Sequence, residues 1–297
     1  MCAMSNKLVF QRRTAVGLQT VGEYFAAYEK RNMLDNADFR NPVNQRAESE
    51  YSVSRKYTLD RWALYTSGGS VRRNSGYVTL SCTNGAAYMI QPMRLTGLAG
   101  RAVTLSVQLL AGSGKIGVFA NSDIYSVVSP TSKAVSGGGV HSVTAVVPSN
   151  ASGFLCAYIS CATGETLNIA RAMLEYGDES TLAQSAPGNY DAELLACIRY
   201  AVAIGTPSRF RMTNYSTTYM DFNVPLPASL RTAPSLESGE FQLRTLSMGS
   251  VSGVAISNVE FISYNQTLGV RVTTDVAHGL TDAVLYVPSR VIISADI

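Results

Sequence analysis

The sequence predicts a mostly β protein: an N-terminal helix, then two antiparallel β-sandwich domains of jelly-roll type joined by a short helix. Three observations carry that reading. Beyond Asn32 the apolar residues fall into short alternating runs bounded by Gly, Ser, Asn and Pro, which is the signature of antiparallel strands. Only 15% of the 297 residues are charged, against roughly 25% in an average globular chain, while 46% are apolar. Helical periodicity surfaces in two places only, once ahead of the β pattern and once in its middle.

The elements follow in order. Val16, Val21, Tyr24, Phe25 and Tyr28 recur at helical spacing and give an amphipathic helix ending near Asn32. Its apolar stripe must be covered, either by its own domain or by the same helix of neighbouring copies. Residues 1–31 are therefore read as an anchoring and oligomerisation segment, and these five residues as oligomer contacts. Strands are expected around 57–65, 76–82, 88–92, 102–110, 115–120, 141–147, 153–161 and 166–175. Eight strands with loops between them suit a jelly roll over residues 32–186. Pro187-Gly188-Asn189 then breaks the chain, and Asp191, Glu193, Leu194, Leu195, Ile198 and Val202 form a short helical pattern with acidic residues in its first turn. This helix marks the domain boundary, or else caps the open end of the first sandwich. Further strands at 209–212, 218–224, 241–246, 254–263, 269–274, 283–287 and 291–295 complete a second sandwich, residues 187–297. Pro225, Pro227, Pro234 and Pro288 sit where strands should stop.

Composition narrows the chemistry. Lys and Arg number 24 and Asp and Glu 21, a net charge of +3. The pI of about 8.5 falls short of the value above 9 that flags a nucleic-acid binder, so no nucleic-acid partner is expected. No apolar run approaches the ~18 residues of a membrane helix, and the amino terminus lacks a signal-type apolar core, so no membrane insertion is expected. Five scattered cysteines without a CxxC pair read as reduced, buried thiols; Cys156 and Cys161 are placed on opposite faces of one strand.

Two His and few carboxylates make an enzyme unexpected. His141 and His278 have no Cys or carboxylate at ligand spacing. The acidic residues Asp35, Asp38, Asp178 and Glu179 are the candidates for polysaccharide hydrolysis or a structural calcium; no other cofactor is indicated. Residues 249–253 carry Val251 where a nucleophile elbow needs Ser, and 112–116 lack phosphate-loop spacing. Both stretches are read as turns. The binding candidates are aromatic. Trp62, the single Trp, could stack on a sugar, although core packing is the stronger reading. Tyr65, Tyr77 and Tyr88 could line the same face, and Asp60 and Trp62 share one side of a strand. Tyr215 and Tyr219, in the mixed aromatic and hydroxyl run 214–222, read as a subunit contact or a plain strand.

One resemblance goes further. Asn32-Met33-Leu34-Asp35-Asn36-Ala37-Asp38-Phe39-Arg40-Asn41-Pro42-Val43-Asn44-Gln45-Arg46, followed by Tyr57-Thr58-Leu59-Asp60-Arg61-Trp62, resembles the opening of phage and prophage tail-fibre-type structural proteins. A second stretch is similar to that family's closing strand and connector: Ala172-Met173-Leu174-Glu175-Tyr176-Gly177-Asp178-Glu179-Ser180-Thr181, then 190–200, with Ile198 where the family carries Gln. Val224-Pro225-Leu226-Pro227 with 230–234 is similar to a turn early in its C-terminal domain.

The resemblance implies a virion component with a jelly roll like those of carbohydrate-binding modules. With about thirty residues ahead of the motif, the expectation is a short tail or head fibre without a long shaft. The function so implied is non-enzymatic: a homo-oligomer, a trimer by preference, on the virion surface, bound to other phage virion proteins and to bacterial surface polysaccharide. The alternative is a purely architectural capsid decoration or tail-assembly protein that binds only virion proteins. In either case the helix stripe, Tyr215 and Tyr219 would serve as oligomer or virion contacts.

Overall fold

The computed structural model describes residues 11–14, 17–20, 32–251, 254–278 and 280–295. Two strands, β1 (Gln11–Thr14) and β2 (Gly17–Thr20), form an antiparallel hairpin. The helix expected over 16–28 is not shown: 17–20 are strand, and Val16, Val21, Tyr24, Phe25 and Tyr28 lie outside the described residues. The chain divides into two compact units, one holding residues up to 40, 52–55 and 65–187, the other 41–51, 56–64 and 188–297.

Three short strands come next: β3 (Glu50–Tyr51), β4 (Lys56–Tyr57) and β5 (Ala63–Thr66). The first unit is then built from β6 (Gly69–Asn74), β7 (Tyr77–Cys82), β8 (Ala86–Arg94), β9 (Ala102–Asn121), β10 (Thr131–Ser136), β11 (Gly139–Val146), β12 (Phe154–Ala162) and β13 (Thr166–Tyr176). They make two curled antiparallel layers that share one strand. The first half of β9 runs between β13 and β11, and its second half between β12 and β10.

The crossover lies at Gly112, whose φ of +104° is open to glycine and costly for residues with a Cβ. A Cβ there would overlap the Thr166 carbonyl. Residues 112–116, expected as a turn between two strands, are therefore the bend inside one continuous strand. The Gly-Ser-Gly composition marks close backbone approach rather than chain reversal.

Strand β12 is buried along both faces from Leu155 to Cys161, so its apolar residues do not alternate with polar ones. Leu155, Ala157 and Ile159 point with Met89, Gln91, Ile116 and Val118 into the sandwich. Polar residues pin the chain onto this core. The Asn32 side chain donates to the Ala172 carbonyl and accepts from the Leu34 and Leu174 amides. Gln91, 1% exposed, accepts from the Asp35 amide and donates to its carbonyl, 2.7 Å each.

In the second unit the helix α1 (Tyr190–Ile198) starts at Asn189, whose side chain accepts from the Asp191 and Ala192 amides. Its strands are β14 (Ala201–Ile204), β15 (Ser208–Tyr215), β16 (Tyr219–Pro225), β17 (Ser235–Ser238), β18 (Gln242–Arg244), β19 (Ile256–Tyr264), β20 (Thr267–Thr274), β21 (Val284–Val287) and β22 (Val291–Ser294). They form a three-stranded sheet, β14-β22-β17, and a six-stranded sheet, β18-β21-β15-β16-β20-β19. Met220, Phe222, Val270, Val272, Leu285, Val287 and Ile293 build the core.

The segment 41–46 with 56–62 is part of this second unit. The Gln45 amide donates to the Ala201 carbonyl (2.8 Å) and accepts from the Ala203 amide (3.0 Å), so one side chain extends the β14 edge as a strand residue would. Arg46 reaches the Asp60 carboxylate at 3.0 Å and takes Glu237 with two 2.7 Å bonds. Asp60, 1% exposed, also accepts the Gln45 amide. The expected single strand at 57–65 is interrupted by a turn, with Trp62 N–H donating to the Leu59 carbonyl and Arg61 at φ +72°. Asp60 and Trp62 therefore do not share a strand face; the turn aims the carboxylate at Arg46. Strands β6, β10, β14 and β17 had no counterpart in the sequence reading.

Candidate functional site

Among the described residues, a group of aromatic side chains gathers on the layer formed by β8, β12 and the second half of β9. Strand alternation puts Leu155, Ala157 and Ile159 inward, so Tyr158 and Ser160 point outward, as do their cross-strand partners. Two cross-strand rows result: Tyr88, Ser160 and Lys115; and Ile90, Tyr158 and Gly117.

Tyr65 stacks on Tyr88, with ring centroids 6.0 Å apart and planes at 29°. Tyr125, from the loop after β9, tilts against Tyr65 at 6.1 Å, and Tyr158 against Tyr88 at 5.8 Å. Phe119 packs on Tyr158 at 6.0 Å. Each such pair adds about 0.5–1.5 kcal/mol beyond the area it buries. Tyr158 is 2% exposed and Phe119 3%, so these two form the floor; Tyr65, Tyr88 and Tyr125 are half-buried and present ring surface to water.

Gly117 makes the floor possible. A Cβ at that position would lie 2.6 Å from the Tyr158 ring and its hydroxyl, so any side chain would push the ring off the strand. Burial raises the Tyr158 hydroxyl above its ordinary pKa, partly offset by a hydrogen bond with Ser132. The Cys156 thiol, on the same face, is pushed up to about 12 by burial and by the charge of Asp123.

The exposed Arg55 lies over two of these rings, 5.8 Å from Tyr65 and 5.7 Å from Tyr125. It holds a left-handed backbone, φ +60°, a conformation that costs a residue with a Cβ roughly 1–2 kcal/mol. Beside it, a cleft of ≈ 500 Å³ is lined by hydroxyls, among them Ser52, Ser54, Ser67, Ser70 and Thr83. Several are already bonded within the protein: Ser54 accepts the Thr66 amide, Ser70 pairs with Ser81, and Thr83 donates to the Gly68 carbonyl.

The sequence candidates divide accordingly. Tyr65 and Tyr88 are brought together. Tyr77 sits on β7 in the other layer of the unit, opposite Asn74, and is not part of the cluster. Trp62 is 0% exposed, so it offers no ring face to a ligand; it is core, as its stronger reading had it. Tyr215 is 49% exposed at the end of β15, and Tyr219 carries the Arg271 guanidinium 4.2 Å above its ring. Arg271 in turn holds Asp221 by two bonds of 2.7 and 2.9 Å.

The acidic candidates are dispersed. Asp38 is paired with Arg40 at 2.6 Å, Asp35 is held through its backbone by Gln91, and Asp178 and Glu179 are exposed in the turn after β13. Among the described residues no group of three or more His, Cys, Asp or Glu is placed to hold a metal ion. His141 is half-buried in β11, and the buried His278 accepts the Leu280 amide at 3.3 Å.

Sequence reasoning missed Tyr125, Tyr158, Arg55 and Lys115. Tyr158 was signalled only by its place in a strand with no polar alternation. Tyr125 and Arg55 lie in loops, where periodicity is silent.

No family model matches the chain, and a search of the curated proteins finds no match. Among solved structures it is similar to the N-terminal CBM22-1-CBM22-2 tandem domain from Paenibacillus barcinonensis Xyn10C. That likeness has a TM-score of 0.30 and 10% identity, covering 83% of this chain and 97% of that one, which is too distant to transfer any residue's role.

Proposed function

We propose that this chain is a non-enzymatic, glycan-binding structural protein of a phage virion, a short fibre or appendage whose first unit contacts bacterial surface polysaccharide. The observation that carries the binding half is the platform of Tyr65, Tyr88 and Tyr125, half-buried rings held from beneath by Tyr158 and Phe119. A sugar ring has an apolar face that stacks on such a platform and a rim of hydroxyls that suits the neighbouring Ser and Thr cleft. The virion half is supported by the resemblance of residues 32–46, 57–62, 172–181 and 190–200 to tail-fibre-type proteins. Single sites of this open kind bind weakly, and display as a homotrimer would raise their avidity.

Binding of the purified protein to polysaccharides from candidate host bacteria tests the first half. Retention by at least one polysaccharide, lost in a folded Tyr65→Ala/Tyr88→Ala variant, is expected. Equal retention by that variant would place the glycan site elsewhere, whereas no retention by any host polysaccharide together with attachment to purified particles would leave the architectural role instead. Labelling of virions with an antibody to this chain tests the second half, with decoration of an external appendage expected and unlabelled particles contradicting it.

A further inference from the structure

Resting on the glycan reading above, we infer that the aromatic face of the first unit is built for a carboxylated glycan, one carrying uronic or comparable acid groups, rather than a neutral one. Two cations on this face lack an acidic partner among the described residues. Among the described residues, Arg55 is engaged through the ring faces of Tyr65 and Tyr125, 5.8 and 5.7 Å from its guanidinium carbon. A guanidinium held by ring faces rather than by a carboxylate keeps N–H donors for an incoming carboxylate, which it can take with two parallel bonds. Its left-handed backbone is a cost that the position bears while keeping a long cationic side chain, where Gly would be free of strain.

Lys115, exposed, stands at the other end of the row that runs through Ser160 to Tyr88. Two strand spacings separate Lys115 from Tyr88, ~10 Å, about the span of a disaccharide unit. Asp123 accepts the Tyr125 amide at 2.9 Å, and Glu165 accepts the Ser113 hydroxyl and the Ala162 amide. A cation at each end of an aromatic platform matches a polymer that alternates apolar ring faces with carboxylates. A neutral polymer would leave both charges without use.

The test compares polygalacturonate with its carboxyl-reduced form and with a sulfated dextran, using the full chain. Saturable binding of polygalacturonate is expected, on the order of tenfold weaker after carboxyl reduction and by a similar factor in Arg55→Gln. Lys115→Gln is expected to weaken it further, while Tyr88→Ala weakens binding of all forms. Equal binding of the native and reduced polymers, both lost in Tyr88→Ala, would overturn the carboxylate inference and leave the glycan reading standing. Binding of neither polymer would overturn the inference for this uronate and, extended to the host polysaccharides, the reading beneath it. Sulfated dextran bound as tightly as polygalacturonate and unaffected by Tyr88→Ala would mark plain ion exchange, and the inference would fall. Circular dichroism of each variant keeps a folding defect from passing for a binding defect.

Discussion

Arginine meets tyrosine in both units, and the two meetings differ in what remains free. In the first unit, Arg55 lies exposed over Tyr65 and Tyr125, with its donors uncommitted to any described acidic group. In the second, Arg61 is 2% exposed with its guanidinium 3.5 Å from the centre of the Tyr200 ring, and Arg231 stacks on that ring at 5.1 Å. Close by in sequence, Arg46 is divided between Asp60 and Glu237. The same two residue types build a surface in one place and a knot in the other. Burial and the number of acceptors within reach decide which.

Gln45, Arg46, Asp60, Arg61 and Tyr200 hold segments 41–46 and 56–62 within the second unit. The face suited to a ligand uses residues outside those stretches.

Breaking the knot should have the largest effect. Arg46→Ala takes from the buried Asp60 carboxylate the guanidinium 3.0 Å away, and removing one partner of a buried pair costs about 3–5 kcal/mol. Urea unfolding should report a loss of that size, while binding of polysaccharide by the protein that remains folded is unchanged. A loss under 1 kcal/mol would mean that the network is incidental to the fold.

Gln45→Leu comes next. It strands the Ala201 carbonyl and the Ala203 amide, a cost of about 1–3 kcal/mol for a buried polar group left unmade, again with no effect on binding. On the other side of the comparison, Tyr88→Ala should remove about 1–3 kcal/mol from its two ring pairs beyond its buried area, yet weaken polysaccharide binding on the order of tenfold. A variant that unfolded more readily than Arg46→Ala and bound normally would reverse the assignment of the two regions.

The two buried thiols of β12 offer a pH test. The folded pKa of Cys156 is raised from 9.0 to about 12, so the native state holds its proton where the unfolded chain gives it up. Stability from this group is complete below pH 9 and falls as pH rises from about 9 to about 12. Cys161, pushed up to about 12 chiefly by burial, acts in the same direction. Alkylation by iodoacetamide at pH 8 should accordingly spare both thiols until the protein is unfolded; rapid modification of the native protein would contradict their burial. The smallest effect belongs to the exposed pair Arg211 and Asp282, 2.7 Å apart. The Arg211 hydrogen bond lowers the Asp282 pKa, so its small contribution is present at neutral pH and lost in acid. Asp282→Asn should leave the unfolding midpoint at pH 7 within error.

Much of the fold was legible because alternation and turn residues report strands directly. Strands β8, β12, β13, β16 and β20 fall where apolar periodicity placed them. Residues 112–116 misled because Gly-Ser-Gly reads as a turn, and only the tertiary approach of the Thr166 backbone reveals that those glycines let a strand bend between layers. Strand β10, TSKAVS, carries too few apolar residues to announce itself; β9 recruits it as an edge.

The site was half legible. Tyr65 and Tyr88 were named but without register, and period-2 structure cannot be assigned a face until pairing is known. Arg55 and Tyr125 come from loops and join the face only through tertiary structure. Trp62 drew attention by rarity, although a large ring in a sandwich is worth most when buried.

The most direct test of the central claim is isothermal titration of host polysaccharide into the intact protein and into a folded Tyr65→Ala/Tyr88→Ala variant at equal concentrations. Saturable binding by the intact chain and its loss in the variant is the predicted result. Unchanged binding in the variant would place the glycan site elsewhere and contradict the account.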